Sequence, residues 1–93
     1  MTREERIRRV EELETELNLL EKEEIAKHNI YYDKKMQLHR EKEKERIEEL
    51  QVEIRKYSQE IVSILKRKIE IRQELKELNN EHKYLQYAEN KKR

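Results

Sequence analysis

The sequence predicts an all-α fold, a coiled coil of long amphipathic helices, and three observations lead to that prediction. Charged residues make up 48% of the chain and hydrophobic residues only 33%, which is too few apolar side chains for a broad globular core. Gly and Pro are both absent, so the residues that usually end helices are missing. Aliphatic residues recur at alternating steps of three and four. Helices paired along a narrow apolar seam account for all three features.

The predicted organisation is a single coiled-coil domain over residues 1–93. Its N-terminal helical half spans residues 2–38 and its C-terminal heptad half spans residues 47–88. Between them, residues 39–46 contain no apolar side chain, so this segment is predicted to be either a turn or a solvated helical bridge. Residues 89–93 are predicted to form a basic, frayed tail.

The N-terminal half opens with a helix-start signal. Thr2 and Glu5 have capping-box spacing, in which each side chain accepts a hydrogen bond from a backbone amide that the first helical turn leaves without a partner. The seam of this half consists of Val10, Leu13, Leu17 and Leu20. Continuing the same frame places Glu24, Lys27 and Lys34 on the seam beside Tyr31 and Leu38. The seam is therefore predicted to be weaker here.

The C-terminal half carries the stronger heptad pattern, and only two of its twelve seam positions are polar or charged. The seam consists of Ile47, Leu50, Ile54, Tyr57, Ile61, Ile64, Lys68, Ile71, Leu75, Leu78, His82 and Leu85. A second seam, formed by Val62, Leu65 and Ile69, lies beside it, so this helix is predicted to need more than one neighbour. Two hairpins could associate there as a four-helix bundle.

The charge zones favour antiparallel pairing of the two halves. Residues 11–24 hold seven Glu against one Lys, a net charge of minus six, whereas residues 55–72 hold six basic against two acidic side chains, a net charge of plus four. An antiparallel arrangement sets these zones against each other, while a parallel dimer aligns residues 11–24 with themselves. Two architectures remain open: a helical hairpin turning near residues 39–46, or continuous helices in an antiparallel homodimer, each about 140 Å long.

Lys68 is the charged residue of the C-terminal seam, and two interpretations stay open. Its aliphatic stem could pack in the seam while its ammonium group reaches solvent. Alternatively, a Glu from residues 11–24 could pair with it and fix the register of the helices.

The sequence argues against an enzyme and predicts no catalytic residue, cofactor or metal site. Long helices without an apolar pocket offer no enclosed site in which the pKa of a carboxylate or imidazole could be tuned. Glu24 with His28, and His39 with Glu43, have two-ligand spacing on a helix, but no third ligand is apparent. The chain also lacks Cys. It shows neither a membrane-spanning apolar run nor a secretory signal, so a cytoplasmic protein is expected.

The leading functional hypothesis is a homo-oligomer, most simply a dimer, that acts as a protein–protein interaction module: a scaffold, regulator or inhibitor of another protein. A candidate partner strip outside the seams consists of Ile25, Ile30, Tyr31 and Tyr32. The alternative is a nucleic-acid-associated coiled coil that uses three basic clusters. Its candidate contacts are Arg6, Arg8, Arg9, Lys66, Arg67, Arg72, Lys91, Lys92 and Arg93. A formal net charge of only +1 weighs against that alternative.

Overall fold

The computed structural model describes the backbone of residues 1–91 and the side chains of residues 1–80. Two long helices, α1 (Arg3–Arg40) and α2 (Lys44–Lys91), account for nearly all of it, and the described backbone contains no strand. The molecule is elongated, with principal extents of 75 × 17 × 16 Å. The all-α prediction is confirmed, and the arrangement of the two helices is consistent with a helical hairpin.

Helix α1 begins at the predicted capping box, which is confirmed. The Thr2 hydroxyl accepts a hydrogen bond from the Glu5 amide at 3.2 Å, and the Glu5 carboxylate accepts one from the Thr2 amide at 3.4 Å. Glu4 and Glu5 also place negative charge in the first turn, where the helix dipole favours it. A cap of this kind stabilises a helix by about 0.5–2 kcal/mol.

The helix is interrupted at residues 41–43, without the help of Gly or Pro. Glu41 adopts an extended backbone conformation, with φ −80° and ψ 137°. Its side-chain oxygen Oε1 accepts hydrogen bonds from the amides of Lys42 and Glu43, each at 3.1 Å. This one oxygen is thereby the acceptor for the two amides that immediately precede α2. The observed interruption differs from the alternative of a helix continuing through residues 39–46.

Over the side chains of residues 1–80, the apolar core lies in the seam between the helices. At the open end, away from the interruption, Leu13, Ile71 and Leu78 are buried together, and Val10, Leu17, Leu20 and Leu75 pack against them. Along the rest of α2, Leu50, Ile61 and Ile64 are also buried. Complete burial of an aliphatic side chain contributes about 1.5–3 kcal/mol. Packing of the seam therefore outweighs the preference of residues 41–43 for continuing the helix.

Candidate interaction surfaces

The predicted oligomerisation seam lies between α1 and α2 wherever the structure describes its side chains. Leu13, Leu50, Ile61, Ile64, Lys68, Ile71 and Leu78 are buried. Val10, Leu17, Leu20, Ile47, Ile54, Tyr57 and Leu75 are half-buried. The side chains of His82 and Leu85 lie outside the described residues. Within one chain, this seam joins the two halves to each other.

Arg6 also belongs to the seam, although the sequence reasoning did not include it. It is buried, at 8% exposure, and it lies one four-residue step before Val10. The spacing was therefore the available signal. Its charge obscured that signal, because arginine is seldom buried unless its guanidinium group is paired.

Lys68 is buried in the seam with its ammonium group close to two carboxylates of α1. Its Nζ atom lies 2.9 Å from Glu24 Oε2 and 4.0 Å from Glu21 Oε1, and only 7% of the residue is exposed. Both carboxylates belong to the acidic zone 11–24. A buried ammonium group needs such a partner because an unpaired charge away from water is costly. This contact is the one that the register hypothesis for Lys68 requires.

Glu24 lies closer to Lys68 than to His28. The imidazole Nε2 of His28 lies 3.9 Å from Glu24 Oε1, whereas the opposite carboxylate oxygen accepts a hydrogen bond from Lys68 at 2.9 Å. The pairing gives the half-buried Glu24 a role at its seam position. It also accounts for one of the three charged residues that weaken the N-terminal seam.

Two bidentate ion pairs join the helices along one side. The Arg9 guanidinium donates to both carboxylate oxygens of Glu74, at 2.7 and 2.9 Å, and Arg67 donates to Glu16 at the same two distances. Hydrogen bonds from the guanidinium groups hold the pKa of both carboxyl groups below the usual 4.5, and they raise the pKa of both arginines. The seam residues are heptad positions a and d, with Val10 and Ile47 both at a. All four ion-paired residues then occupy position g, immediately before an a residue, and so border the seam on one side.

The other two charged residues of the N-terminal seam, Lys27 and Lys34, form ion pairs on the same side of the molecule. The Lys27 ammonium lies 2.8 Å from Glu60 and the Lys34 ammonium lies 3.1 Å from Glu53. Their aliphatic stems lie in the seam while their charges reach acidic g positions of α2. The hydrogen bond that Lys27 donates to Glu60 lowers the pKa of the Glu60 carboxyl group and raises the pKa of the Lys27 ammonium group.

We call this side the ion-pair flank. On α2 it consists of Glu53, Glu60, Arg67 and Glu74, which follow one another at seven-residue steps. Each of them lies within 3.1 Å of an oppositely charged atom of α1. These four side chains of α2 are thus paired with charges of α1 within the chain.

The opposite side of the molecule is apolar and exposed. We define the apolar flank as Ile25 and Tyr32 of α1 with Val62, Leu65 and Ile69 of α2. Their exposed fractions range from 41% to 65%. Leu65 is an e position and the other four are b positions, so all five lie on the side of each helix that is away from g.

A contact between the helices shows that e positions of α1 and α2 approach each other on this side of the molecule. The e residues Glu21 and Arg72 approach each other at 3.9 Å, as g residues do on the other flank. Heptad spacing then puts Ile25 level with Val62 at the middle of the molecule. The second seam predicted on α2 and part of the strip predicted on α1 therefore form one surface.

The candidate partner strip is otherwise divided by the structure. Ile25 and Tyr32 lie on the apolar flank, but Ile30 occupies a g position on the ion-pair flank. Tyr31 is half-buried in the seam, where the Lys35 ammonium lies 4.8 Å from the centre of its ring. A hydrogen bond to Tyr31 raises the pKa of Lys35. The four residues of the predicted strip are therefore distributed over the apolar flank, the seam and the ion-pair flank.

Three of the six candidate nucleic-acid contacts whose side chains the structure describes lie beside carboxylates. Arg9 and Arg67 hold the bidentate ion pairs of the ion-pair flank, and Arg72 lies 3.9 Å from Glu21. Arg6 is buried, whereas Arg8 and Lys66 are exposed. The side chain of Lys91, together with Lys92 and Arg93, lies outside the described residues. The two arginines with the shortest ion pairs, Arg9 and Arg67, are therefore held by carboxylates of the facing helix.

Other classes of binding site have less support. Among the described residues, no three His, Cys, Asp or Glu side chains are grouped so that they could hold a metal ion. Neither helix has a stretch in its described part that is apolar enough over its length to span a bilayer. We find no match to this chain among protein-family models, curated proteins or solved structures.

Proposed function

We propose that the chain is a non-enzymatic, antiparallel coiled coil that self-associates and acts as a protein–protein interaction module, a scaffold, regulator or inhibitor of another protein. The observation that carries this proposal is the apolar flank. Five large apolar side chains gather on one exposed surface of a chain that is 48% charged. Exposed apolar surface that is concentrated in this way is typical of interaction sites.

The antiparallel direction is supported by the order of the ion pairs. Moving from Arg9 to Glu16 on α1 is a step of seven residues toward the C-terminus. Their partners, Glu74 and Arg67, are separated by a step of seven toward the N-terminus. Near the interruption at 41–43, Arg46 donates to Gln37 at 3.4 Å, as the same register requires. The complementary charge zones of the sequence favour this direction too.

A non-enzymatic role is supported by the state of the acidic side chains. Glu16, Glu60 and Glu74 have lowered pKa values because basic partners donate hydrogen bonds to them. A carboxyl group that serves as a general acid needs a raised pKa instead. These three carboxylates are better explained as members of ion pairs that align the helices.

Nucleic-acid binding receives less support because phosphate contacts need basic side chains that are available. Arg9 and Arg67 would have to exchange bidentate carboxylate partners for phosphates, at the expense of the contacts between the helices. The acidic zone 11–24 lies next to the N-terminal basic cluster and repels phosphate. Protein association is therefore the better account of the charge pattern.

The test is sedimentation equilibrium of the full chain at low salt and at about 1 M salt, with DNA and RNA binding measured in parallel. Association driven by apolar surface changes little with salt, whereas phosphate binding weakens steeply. We expect a mass above the 11.7 kDa of one chain at both salt concentrations and no tight nucleic-acid binding. A monomeric chain that binds nucleic acid with a steep salt dependence would contradict the proposal.

A further inference from the structure

The two flanks of the molecule differ in how completely they are used within one chain. On the ion-pair flank, Glu53, Glu60, Arg67 and Glu74 of α2 each have an α1 partner within 3.1 Å. On the opposite side, the ion pair recorded between e positions is the 3.9 Å approach of Arg72 to Glu21. The apolar flank therefore retains both its apolar surface and much of its charge for contacts outside the chain.

The charges around the apolar flank are sorted along its length. On α1, the e and b positions toward the open end are acidic, with Glu11, Glu14 and Glu21. The level positions of α2 are basic, with Arg72 and Lys76. The surface thus has an apolar centre, and near one end it has an acidic edge beside a basic edge.

At the end near the interruption, the e and b positions of α1 carry basic instead of acidic side chains. Lys35 and His39 occupy the e and b positions there, and Glu48 of α2 lies level with His39. On α1 the charge along this flank consequently changes from acidic to basic, with Lys35 as the residue that is charged at pH 7. On α2 it is basic toward the open end and mixed near the interruption, where Lys44 and Arg55 occupy the e and b positions on either side of Glu48.

We infer that the apolar flank is the docking surface for a second copy of this chain, which produces a four-helix bundle. This inference rests on the proposed self-association and names the surface that would carry it. A two-fold axis relates the copies, as in most homodimers. Ile25, Val62, Leu65 and their neighbours on one copy then lie against the same residues of the other, and their apolar area is removed from water.

Charge complementarity is the reason for choosing a second copy over other occupants. With the two-fold axis along the molecule, the acidic edge of α1 faces the basic edge formed by Arg72 and Lys76 of the second copy. With the axis across the molecule, the same acidic edge faces Lys35 and His39 of the second copy. In either case the acidic edge of α1 meets basic side chains of the second copy, so this edge has a complementary counterpart on the same surface.

The inference is tested by comparing two charge-matched double variants with the unmodified chain. The flank variant is Ile25→Glu with Leu65→Glu. The control is Leu19→Glu with Val52→Glu, which also changes one exposed aliphatic residue on each helix, at 61% and 65% exposure, but outside both the seam and the apolar flank. All four positions are exposed in the single chain, so helix content measured by circular dichroism should be preserved in both variants.

The readout is molecular mass by sedimentation equilibrium. We expect the unmodified chain and the control to be dimers, and we expect the flank variant to have a dissociation constant raised by at least about tenfold. If the flank variant loses helix content, Ile25→Ser with Leu65→Ser replaces it, because Ser removes apolar area without adding charge. The same weakening is expected of the Ser variant.

Three outcomes would count against these conclusions, and they differ from one another. A monomeric unmodified chain would contradict the self-association in the proposed function. A flank variant that remains as dimeric as the unmodified chain would overturn only the assignment of the surface. Equal weakening of the flank variant and the control would also overturn the assignment, since the effect would then come from added charge in general.

Discussion

At the scale of single residues, Lys68 shows how a charge can occupy an apolar seam. Its ammonium group lies 2.9 Å from Glu24, and the side chains of both residues are largely buried. Such a pair contributes little net stability because both ions lose their hydration. It does, however, penalise alternatives that place Lys68 opposite another Lys or opposite an apolar residue. Its role in this account is therefore to select the register.

Replacing both members of that pair tests this role. We predict that Lys68→Leu with Glu24→Leu raises the free energy of unfolding by about 1–4 kcal/mol and adds oligomers other than that of the unmodified chain. Thermal melts followed by circular dichroism and mass measurements check the two parts. The single variant Glu24→Leu serves as the control, because it leaves Lys68 without its closest partner and should lower stability. Unchanged stability with one unchanged oligomer in the double variant would contradict the register role.

The carboxylates of the ion-pair flank predict how stability depends on pH. The pKa values of Glu16, Glu60 and Glu74 are below 4.5 in the folded chain. A carboxyl group with a lowered folded-state pKa adds stability above its unfolded pKa and loses that contribution as pH falls through the folded one.

The melting temperature should therefore be steady near neutral pH and fall progressively once the pH drops below about 4.5. Thermal melts at a series of pH values measure this. The matched variant carries Glu16→Gln, Glu60→Gln and Glu74→Gln, and it should be less stable at neutral pH and lose less stability on acidification. An equal acid loss in both proteins would show that these three carboxylates are not responsible.

At the scale of secondary-structure elements, the interruption between α1 and α2 is held by side-chain chemistry. Glu41 takes an extended conformation and its carboxylate accepts from the two following amides. The segment otherwise consists of good helix formers, so local propensity favours a continuous helix. The balance between a turn and a bridge consequently depends on few interactions besides the packing of the seam.

Substitution of Glu41 tests that balance. We predict that Glu41→Ala destabilises the interruption by about 0.5–1 kcal/mol and increases the population of longer, domain-swapped dimers, because Ala is the best helix former. Glu41→Gln keeps a side-chain oxygen acceptor and is the control. Size-exclusion chromatography with scattering detects the longer species. No increase in length for Glu41→Ala relative to Glu41→Gln would contradict this account of the turn.

The elements themselves could be predicted from the sequence because heptad spacing and a capping box are local signals. Thr2 and Glu5 are three residues apart, and the described seam residues of α2 follow a single repeat. The interruption at residues 41–43 could not be decided in the same way. Whether good helix formers continue a helix depends on whether the seams on both sides pack against each other, which is a property of the whole chain.

At the scale of the whole molecule, the arrangement of the surfaces depends on tertiary structure. Sequence spacing could place Val62, Leu65 and Ile69 on one face of α2, but it could not bring Ile25 beside them. It also grouped Ile30 with Ile25, although they lie on opposite flanks. Contacts such as Arg9 with Glu74 join residues that are far apart in the chain, so only the folded molecule defines the two flanks.

The central claim is that each chain folds back on itself and that two such chains associate. Small-angle scattering with in-line mass determination tests it most directly. We expect a maximum dimension near the 75 Å length of one chain with twice the mass of 11.7 kDa. A dimer with a maximum dimension of about 140 Å, the length of an uninterrupted helix of this many residues, would contradict it.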